Sequence, residues 1–370
     1  MQTTDEAHVL AEIRGRVGCL TLNRPRALNA LSLGMIREIT AALMRWREDP
    51  QVLAVVIRGT GKEGPFGAFC AGGDIRFFHQ AALSGDPALE DFFTEEYALN
   101  HLVHTYTKPY IALMDGICMG GGMGISQGAS LRVVTERSKL AMPETNIGLF
   151  PDVGGGYFLS RCPGRLGEYL ALTGRVLNAA EALAAGLADL AVDSARLHSL
   201  WETLASTPFE SGEAVERWCR TYQARVPAQA GWPAEEMNAC FGLEDATSIV
   251  RALESSDSGW ARETAALLRA RSPLMLHVVL AQIRRARNMG LVEDLRMERD
   301  MVRHCFHARH LGRSGAASET VEGIRALAID KDHSPRWNPA RVEDVDVAAV
   351  EGFFRSPWPA WAHPLARLGS

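Results

Sequence analysis

Two carboxylates, Glu144 and Asp152, lie eight residues apart in a loop that is rich in Gly and Pro and otherwise apolar. Apolar surroundings raise the pKa of a carboxyl group, which suits it to proton transfer near neutral pH. A Glu in a loop more often caps or pairs locally, so the pattern alone leaves a structural role open. The pair is nevertheless a candidate for acid–base chemistry.

Two glycine-rich segments precede these carboxylates. In the first, Gly72 and Gly73 follow Cys70 and Ala71, and the small residues would let a ligand approach the Gly73 N–H. In the second, the triplet Gly120–Gly122 leads into a predicted helix whose first N–H groups would be accessible to an anion. Each segment alone also fits a simple turn or tight helix–sheet packing. Cys70 is interpreted as a small packing residue rather than a nucleophile, because no neighbouring residue supplies a base.

The segments lie among alternating predicted strands and helices, which indicates βαβ units around a parallel sheet. The predicted elements are a hairpin of His8–Arg14 and Val17–Asn23, a helix within Asn29–Glu48, a strand at Val52–Arg58, a helix over Pro87–Tyr106, and strands at Tyr110–Met114 and Leu131–Thr135. After about Asp193 the strand pattern fades and amphipathic helices dominate. We therefore predict an α/β core over residues 1–195 and a helical region with a Pro-containing tail over residues 196–370.

Composition excludes some classes of function. The net charge is -5, so no basic field favours nucleic acid. No 18-residue apolar run predicts a membrane span. The acidic segment Met1–Glu6 has neither the apolar core of a signal peptide nor the arginines of a transit peptide. The seven cysteines are scattered without zinc-ligand spacing, so we expect reduced thiols, no metal site and a cytoplasmic location.

The order of the three motifs resembles that of the enoyl-CoA hydratase/isomerase superfamily, the crotonases. The resemblance implies an α/β crotonase (ClpP-like) spiral of βαβ units, followed here by an enlarged α-helical region. It also implies that the N–H groups of Gly73 and Gly121 form an oxyanion hole for the thioester oxygen, with Asp74 and Ile75 next to the substrate. The segment containing Arg26, Ala27 and Leu28 resembles the family's CoA-binding segment.

One departure separates this chain from hydratases of the family. Hydratases usually carry a second catalytic Glu two residues after the glycine triplet, where this chain has Gly124. Since hydration needs an acid and a base around one water, this glycine argues against a hydratase. The sequence Phe150–Tyr157 instead resembles the 3-hydroxyisobutyryl-CoA hydrolase branch. So does the motif Glu95–Tyr97, in which Glu96 is implied to contact substrate. Further segments that resemble this branch are Asn238–Phe241, Gln282–Arg284, Leu295–Glu298, Glu322–Ala326 and Ile329–Pro339.

The branch implies hydrolysis of a short, branched 3-hydroxyacyl-CoA, with 3-hydroxyisobutyryl-CoA of valine breakdown as the leading candidate and 3-hydroxypropionyl-CoA close behind. Glu144 would act as general base or as nucleophile through an anhydride, while Asp152 orients a hydroxyl group or the water. No cofactor is expected beyond the CoA of the substrate. Crotonases are often trimers, so a homo-oligomer is implied, although the enlarged helical region could cover that interface.

Two alternatives remain open at the level of sequence. Some dienoyl-CoA isomerases of the superfamily use Glu and Asp at the same spacing, but they usually keep a carboxylate where Gly124 stands. A non-catalytic acyl-CoA-binding relative would be expected to have lost one of the site residues, and all are present. The chain departs from the branch at Thr320–Val321, where an aromatic residue is common, and at His277, where a Lys is expected to contact a CoA phosphate.

Overall fold

A computed structural model describes residues 7–226 and 229–369 of the chain. The segment 1–6, on which the prediction about targeting peptides rests, lies outside the described residues. Across the described ranges, no helix combines the length and the apolar character that crossing a bilayer would require.

The strands agree with the predicted alternation and add several short ones. They are β1 (Val9–Arg14), β2 (Val17–Leu22), β3 (Ala54–Gly59), β4 (Ala68–Cys70), β5 (Tyr110–Met114), β6 (Ile117–Met119), β7 (Leu131–Val134), β8 (Lys139–Ala141) and β9 (Leu190–Ala191). The predicted hairpin is confirmed, since β1 and β2 pair in antiparallel register from Val9 opposite Leu22 to Arg14 opposite Val17. The short strand β4 lies where the sequence predicts no strand, because three residues carry too little periodicity to be recognised.

Helices are the commonest element in the described part of the chain. They are α1 (Leu33–Glu48), α2 (Ile75–Ser84), α3 (Ala88–His104), α4 (Gly121–Gln127), α5 (Gly155–Leu159), α6 (Leu166–Thr173), α7 (Ala179–Ala184), α8 (Leu197–Thr203), α9 (Gly212–Arg220), α10 (Ala234–Phe241), α11 (Ala246–Glu254), α12 (Gly259–Arg269), α13 (Pro273–Ala286), α14 (Leu291–Phe306), α15 (Glu319–Ile324) and α16 (Val347–Gly352). The first helix begins later than predicted because Ser32 caps it, accepting a hydrogen bond from the Met35 N–H.

The chain divides into two compact units that interleave along the sequence. The first unit comprises residues 1–73, 99–140 and 177–229, and the second comprises 74–98, 141–176 and 230–370. The predicted boundary between residues 195 and 196 falls inside the first unit, so the compact units are not the two sequential regions. The division into an α/β core over residues 1–195 and a helical region over residues 196–370 stays a prediction.

The first unit is built on a sheet with the strand order β1-β2-β3-β5-β7-β9. All neighbours after the β1–β2 hairpin are parallel, as the predicted βαβ units require. Apolar side chains of β2, β3, β5 and β7 meet those of α8 and α9 in one core that includes the fully buried Trp201. The short strands β4, β6 and β8 form a second sheet. The predicted α/β class is therefore confirmed.

The second unit is mainly helical. Helix α13 is its centre, with ten of its residues buried, and it packs against α5 and α6. Helix α14 packs against α5 and α15, and its buried Arg299 donates to Glu90 of α3 over 2.5 Å. Since α3 also carries Glu96, this ion pair fixes one element of the carboxylate cluster described below.

Candidate active site

The first unit contains both predicted oxyanion donors. Gly121 is the first residue of α4, where an N–H group has no partner in its own helix. Gly73 is bridged to Leu31, but that hydrogen bond runs from the Leu31 N–H to the Gly72 oxygen over 2.8 Å, so it does not use the Gly73 N–H. A Cβ added at Gly72 would lie 3.5 Å from the Gly121 nitrogen. The two glycine segments thus lie against each other, which suits two N–H donors that bind one oxygen.

Packing also accounts for glycine at these positions. Gly72 has a φ of +104°, a conformation that side chains rarely adopt. At Gly122 a Cβ would lie only 2.4 Å from the Cys70 carbonyl oxygen, in the backbone of the other glycine segment. Close backbone packing is therefore a structural reason for small residues in these segments, beside the oxyanion role that the resemblance implies for Gly73 and Gly121.

Substitution of Gly122 by Ala tests this arrangement. The clash with the Cys70 oxygen must separate the two segments and displace the neighbouring Gly121 N–H. Since the loss of one oxyanion donor costs about 10²- to 10³-fold in kcat, we expect a drop of about 10²-fold in turnover of an acyl-CoA. The matched control is Gly64→Ala in an exposed turn, where a Cβ would meet nothing within 4 Å. Equal turnover of both variants would contradict the assignment.

The predicted CoA-binding segment is attached to the same loops. Arg26 is exposed, whereas Ala27 and Leu28 are half-buried. The Leu28 oxygen accepts from the Ala71 N–H over 3.0 Å. Next to it, the buried Asn29 donates to the oxygens of Thr60 and Ala68 over 2.9 Å each, and its own side-chain oxygen accepts from the Arg24 N–H over 2.8 Å.

Asn29 therefore holds the predicted CoA-binding segment against the end of β3 and the start of β4. Sequence reasoning named it only as part of a motif. Its residue type was the available signal, because Asn tolerates a φ such as the +56° found here better than most residues.

Asp74 and Ile75 begin the second unit at the start of α2. The Asp74 carboxylate caps this helix, accepting from the Phe77 N–H over 3.4 Å, and Ile75 is half-buried as its first residue. The structure thus gives Asp74 a capping role beside the substrate contact that the resemblance implies, and that contact stays a prediction.

Glu144 lies in the second unit, in a single 3-10 turn over Glu144–Ile147. The turn ends at Gly148, whose left-handed conformation (φ +64°) lets the chain reverse. The Glu144 side chain is buried, and its Oε2 atom has no hydrogen-bond partner among the described residues. Burial raises its pKa well above the ordinary value, and the charge of Asp152 raises it further. A carboxyl group tuned in this way is suited to accept a proton near neutral pH.

Asp152 is also buried in the second unit, and it is bound by a residue to which sequence reasoning gave no role. The Tyr97 hydroxyl donates to Asp152 Oδ2 over 2.9 Å. Burial raises the pKa of Asp152, while this hydrogen bond acts in the opposite direction because it stabilises the carboxylate. Tyr97 appeared in the sequence only as the residue after Glu96 in a motif of the hydrolase branch. Its position on the same helix as Glu96 was the signal that could have found it.

Glu96 completes a cluster of three buried carboxyl groups. Burial raises its pKa well above the usual range, and the charges of Asp152 and Glu144 raise it further. Its Oε1 atom has no hydrogen-bond partner in the described part of the chain. The second unit therefore brings the three predicted acids together, and their mutual repulsion means that they cannot all be ionised at neutral pH without cost.

Removal of the Tyr97 hydroxyl by substitution with Phe should weaken this cluster. The Asp152 carboxylate would lose its donor and its pKa would rise further. Hydrogen bonds to charged groups contribute about 1.5–3 kcal/mol, so kcat should fall about 10- to 100-fold. The matched control is Tyr106→Phe, which removes a tyrosine hydrogen bond to the Leu43 oxygen elsewhere. If both variants turned over equally, the Tyr97 hydroxyl would have no part in the reaction.

Three other residues that the sequence singled out are buried or half-buried within the protein. Cys70 is fully buried, which fits a packing residue. His277 is half-buried in α13, with its Nε2 atom 3.1 Å from the Val342 oxygen. The buried Thr320 donates to the Gly148 oxygen over 2.8 Å, so a position where an aromatic residue is common here supports the turn that carries Glu144.

Comparison with known proteins extends these observations to nearly the whole chain. The family profile described as enoyl-CoA hydratase/isomerase matches residues 17–354. A rat protein named 3-hydroxyisobutyryl-CoA hydrolase, mitochondrial, is 41% identical over 359 residues, covering 95% of this chain and 90% of the relative. The human protein of the same name is 39% identical over 360 residues, with 95% and 90% covered.

Comparison with solved structures confirms the predicted crotonase fold. A carnitinyl-CoA dehydratase from Mycobacterium thermoresistibile matches with a TM-score of 0.84 and 35% identity, covering 95% of this chain and 97% of the other. An enoyl-CoA hydratase from Rhodobacter sphaeroides 2.4.1 matches with a TM-score of 0.81 and 35% identity, covering 95% and 98%. Together with the glycine segments and the buried carboxylates, these matches show that the chain belongs to the enoyl-CoA hydratase/isomerase family.

Proposed function

We propose that the protein hydrolyses a short, branched 3-hydroxyacyl-CoA, foremost 3-hydroxyisobutyryl-CoA, to the free hydroxy acid and CoA, a step of valine breakdown. The observation that carries this proposal is the buried pair of Glu144 and Asp152 in a chain with glycine at position 124. One carboxylate with a raised pKa suffices to activate a water, whereas hydration of a double bond also needs an acid at the missing position. The full-length similarity to 3-hydroxyisobutyryl-CoA hydrolases supports the choice of substrate.

In the proposed mechanism, the thioester oxygen accepts hydrogen bonds from the N–H groups of Gly73 and Gly121. In one route Glu144 takes a proton from water, the hydroxide adds to the carbonyl carbon, and the C–S bond breaks as the proton passes to the CoA thiolate. In the other, Glu144 itself attacks the carbonyl carbon and expels CoA, and water then hydrolyses the anhydride. Negative charge develops on the same oxygen in both routes, so both need the oxyanion hole.

A single turnover in ¹⁸O-labelled water tests the anhydride route. Hydrolysis of the anhydride by attack at the Glu144 carbonyl would leave solvent oxygen in that side chain, which mass spectrometry of the peptide would detect. The general-base route places the solvent oxygen only in the product acid.

The selectivity for a 3-hydroxyl group would come from the carboxyl cluster. We propose that Asp152 orients the substrate hydroxyl or the water, and that Glu96 contacts the substrate. Asp74, Ile75 and the CoA-binding segment at Arg26–Leu28 would complete the acyl-CoA site. No metal or cofactor is needed in this scheme, because the acid, the base and the oxyanion donors all come from the chain.

Assembly and compartment are part of the proposal. We propose a homo-oligomer, which light scattering of the purified chain would test. We also propose a cytoplasmic location, supported only by seven buried, unbridged thiols that suit a reducing compartment. The similar curated proteins carry the word mitochondrial in their names, so fractionation of cells that express the full chain should compare both compartments.

The decisive experiment measures CoA release from 3-hydroxyisobutyryl-CoA by free-thiol detection. Hydration of crotonyl-CoA is assayed in parallel, and 3-hydroxypropionyl-CoA serves as the second hydrolytic substrate. Thiol release without turnover of crotonyl-CoA is the expected result. Hydration of crotonyl-CoA without thiol release would overturn the proposal and would mean that a glycine at position 124 is compatible with hydratase chemistry.

A further inference from the structure

Two sequence motifs that the proposed reaction does not use meet in the core of the second unit. Gln282 lies on α13 and Glu298 on α14, and both side chains are fully buried. The Gln282 amide donates to Glu298 Oε1 over 3.1 Å and to the Pro151 oxygen over 2.7 Å. Pro151 directly precedes Asp152, so this amide holds the backbone on one side of that residue.

Glu298 holds the backbone on the other side. Its Oε2 atom accepts from the Gly154 N–H over 2.7 Å, and its Oε1 atom accepts from the Gly156 N–H over 2.9 Å. Gly154 follows Asp152 by two residues, and Val153 between them has a φ of +57°, a conformation that a non-glycine residue keeps only where its surroundings stabilise it. Charge-assisted hydrogen bonds to backbone N–H groups are among the stronger ones in proteins. One Gln–Glu pair thus fixes the chain immediately before and after Asp152.

Asp294 also holds the backbone that follows Asp152. Its Oδ2 atom accepts from the Tyr157 N–H over 2.9 Å, and a Cβ added at Gly156 would lie 2.3 Å from its Oδ1 atom. Burial raises the pKa of both Asp294 and Glu298, and the charge of Asp294 raises that of Glu298 further. The glycine at position 156 therefore lets a second buried carboxyl approach the Asp152 segment.

These contacts indicate what the pair does. Both Glu298 oxygens are occupied by backbone N–H groups, so Glu298 is placed to hold protein rather than substrate. The segment it holds carries the carboxylate that receives the Tyr97 hydrogen bond. A small displacement of Asp152 would change its distances to Tyr97 and to its partners in the cluster, and misplacement by about 1 Å can reduce turnover about 10²-fold.

We propose that Gln282 and Glu298 are positioning residues that hold the backbone around Asp152 in its active geometry. The inference rests on the proposed function in one respect, namely that Asp152 takes part in turnover. It extends that function by giving a physical role to two segments that resemble the hydrolase branch.

The test is a double-mutant cycle between Glu298→Gln and Asp152→Asn, read as kcat and KM for CoA release. A Gln at position 298 turns an amide N–H₂ toward one of the backbone N–H groups, so one hydrogen bond is lost. We expect Glu298→Gln alone to lower kcat about 10- to 100-fold with little change in KM. In the Asp152→Asn background it should have little further effect, because a residue that acts through Asp152 has nothing left to position.

The matched control is Glu181→Gln, another buried Glu that accepts from a backbone N–H, in the first unit. Should Glu298→Gln fail to fold, Gln282→Met takes its place, since it keeps the volume and removes the donor to Pro151. An unchanged kcat, or the same fold-loss with and without the Asp152 carboxylate, would overturn the proposal.

Hydrogen exchange of the intact protein supplies a readout that does not depend on the substrate. Glu298→Gln should speed exchange of the amides at residues 154–157 and leave those of β3 unchanged. Unchanged exchange at residues 154–157 would also overturn the proposal. If the wild type hydrates crotonyl-CoA instead of releasing CoA, the proposed function fails, and the same cycle run on hydration still decides the positioning role.

Discussion

Replacement of Glu144 by Gln is expected to lower kcat for CoA release by at least about 10²-fold. A general base contributes about 10²- to 10⁴-fold, and a nucleophile contributes more, so either proposed route predicts a large loss. The amide keeps the shape of the side chain and its buried surroundings, so KM should change little. Stopped-flow or steady-state thiol detection with 3-hydroxyisobutyryl-CoA measures both constants.

Stability provides the control for this variant. Because burial raises the folded-state pKa of Glu144, its contribution to stability is present below the unfolded pKa and is lost as pH rises through the folded value. The amide of the Glu144→Gln variant carries no charge, so the free energy of unfolding of the variant should exceed that of the wild type at about pH 8 and approach it at about pH 4. Retained activity above about one tenth of wild type would contradict the catalytic role, and a loss of stability at the higher pH would contradict the buried charge.

The second large effect is expected for Asp152→Asn, with a fall in kcat of about 10²-fold. The more informative result is the pH dependence of the remaining activity. The charge of Asp152 is the second cause of the raised pKa of Glu144, after burial. Without that charge the pKa of Glu144 falls, so the acidic limb of the kcat profile should move to lower pH. A full pH profile of wild type and variant measures this shift.

Asp245→Asn is the matched control for the second prediction. Asp245 caps α11 by accepting from the Ser248 N–H over 2.7 Å, a role that Asn also performs, so the profile should not move. An acidic limb that stayed in place or moved upward in Asp152→Asn would show that Glu144 is not the titrating group or does not feel the charge of Asp152.

Local signals in the sequence were sufficient for much of the fold. The hairpin β1–β2, the parallel strands and the helices α1 and α3 follow from periodicity, which acts over a few neighbouring residues. The short strands β4, β6 and β8 do not follow from it, because two or three residues become a strand only when a partner is present. The compact units could not be predicted either, since chain order says nothing of which distant segments pack together.

For the candidate site, residue types and their spacing were enough to identify the groups that could react. The sequence contained the glycine segments, Glu96, Glu144 and Asp152, and the glycine at position 124 that separates the chain from hydratases. These are statements about residue types and spacing, and a linear pattern can carry them.

The pKa values and the hydrogen-bond partners of those groups depend on tertiary packing. Tyr97 is 55 residues from Asp152 in the chain, and Gln282 is 131 residues from Pro151, yet each pair is joined by a hydrogen bond. The pKa of a carboxyl group depends on burial and on charges within a few ångströms, and both are set by packing between distant segments. The sequence therefore identifies the residues that can react, whereas their protonation and their placement depend on the fold.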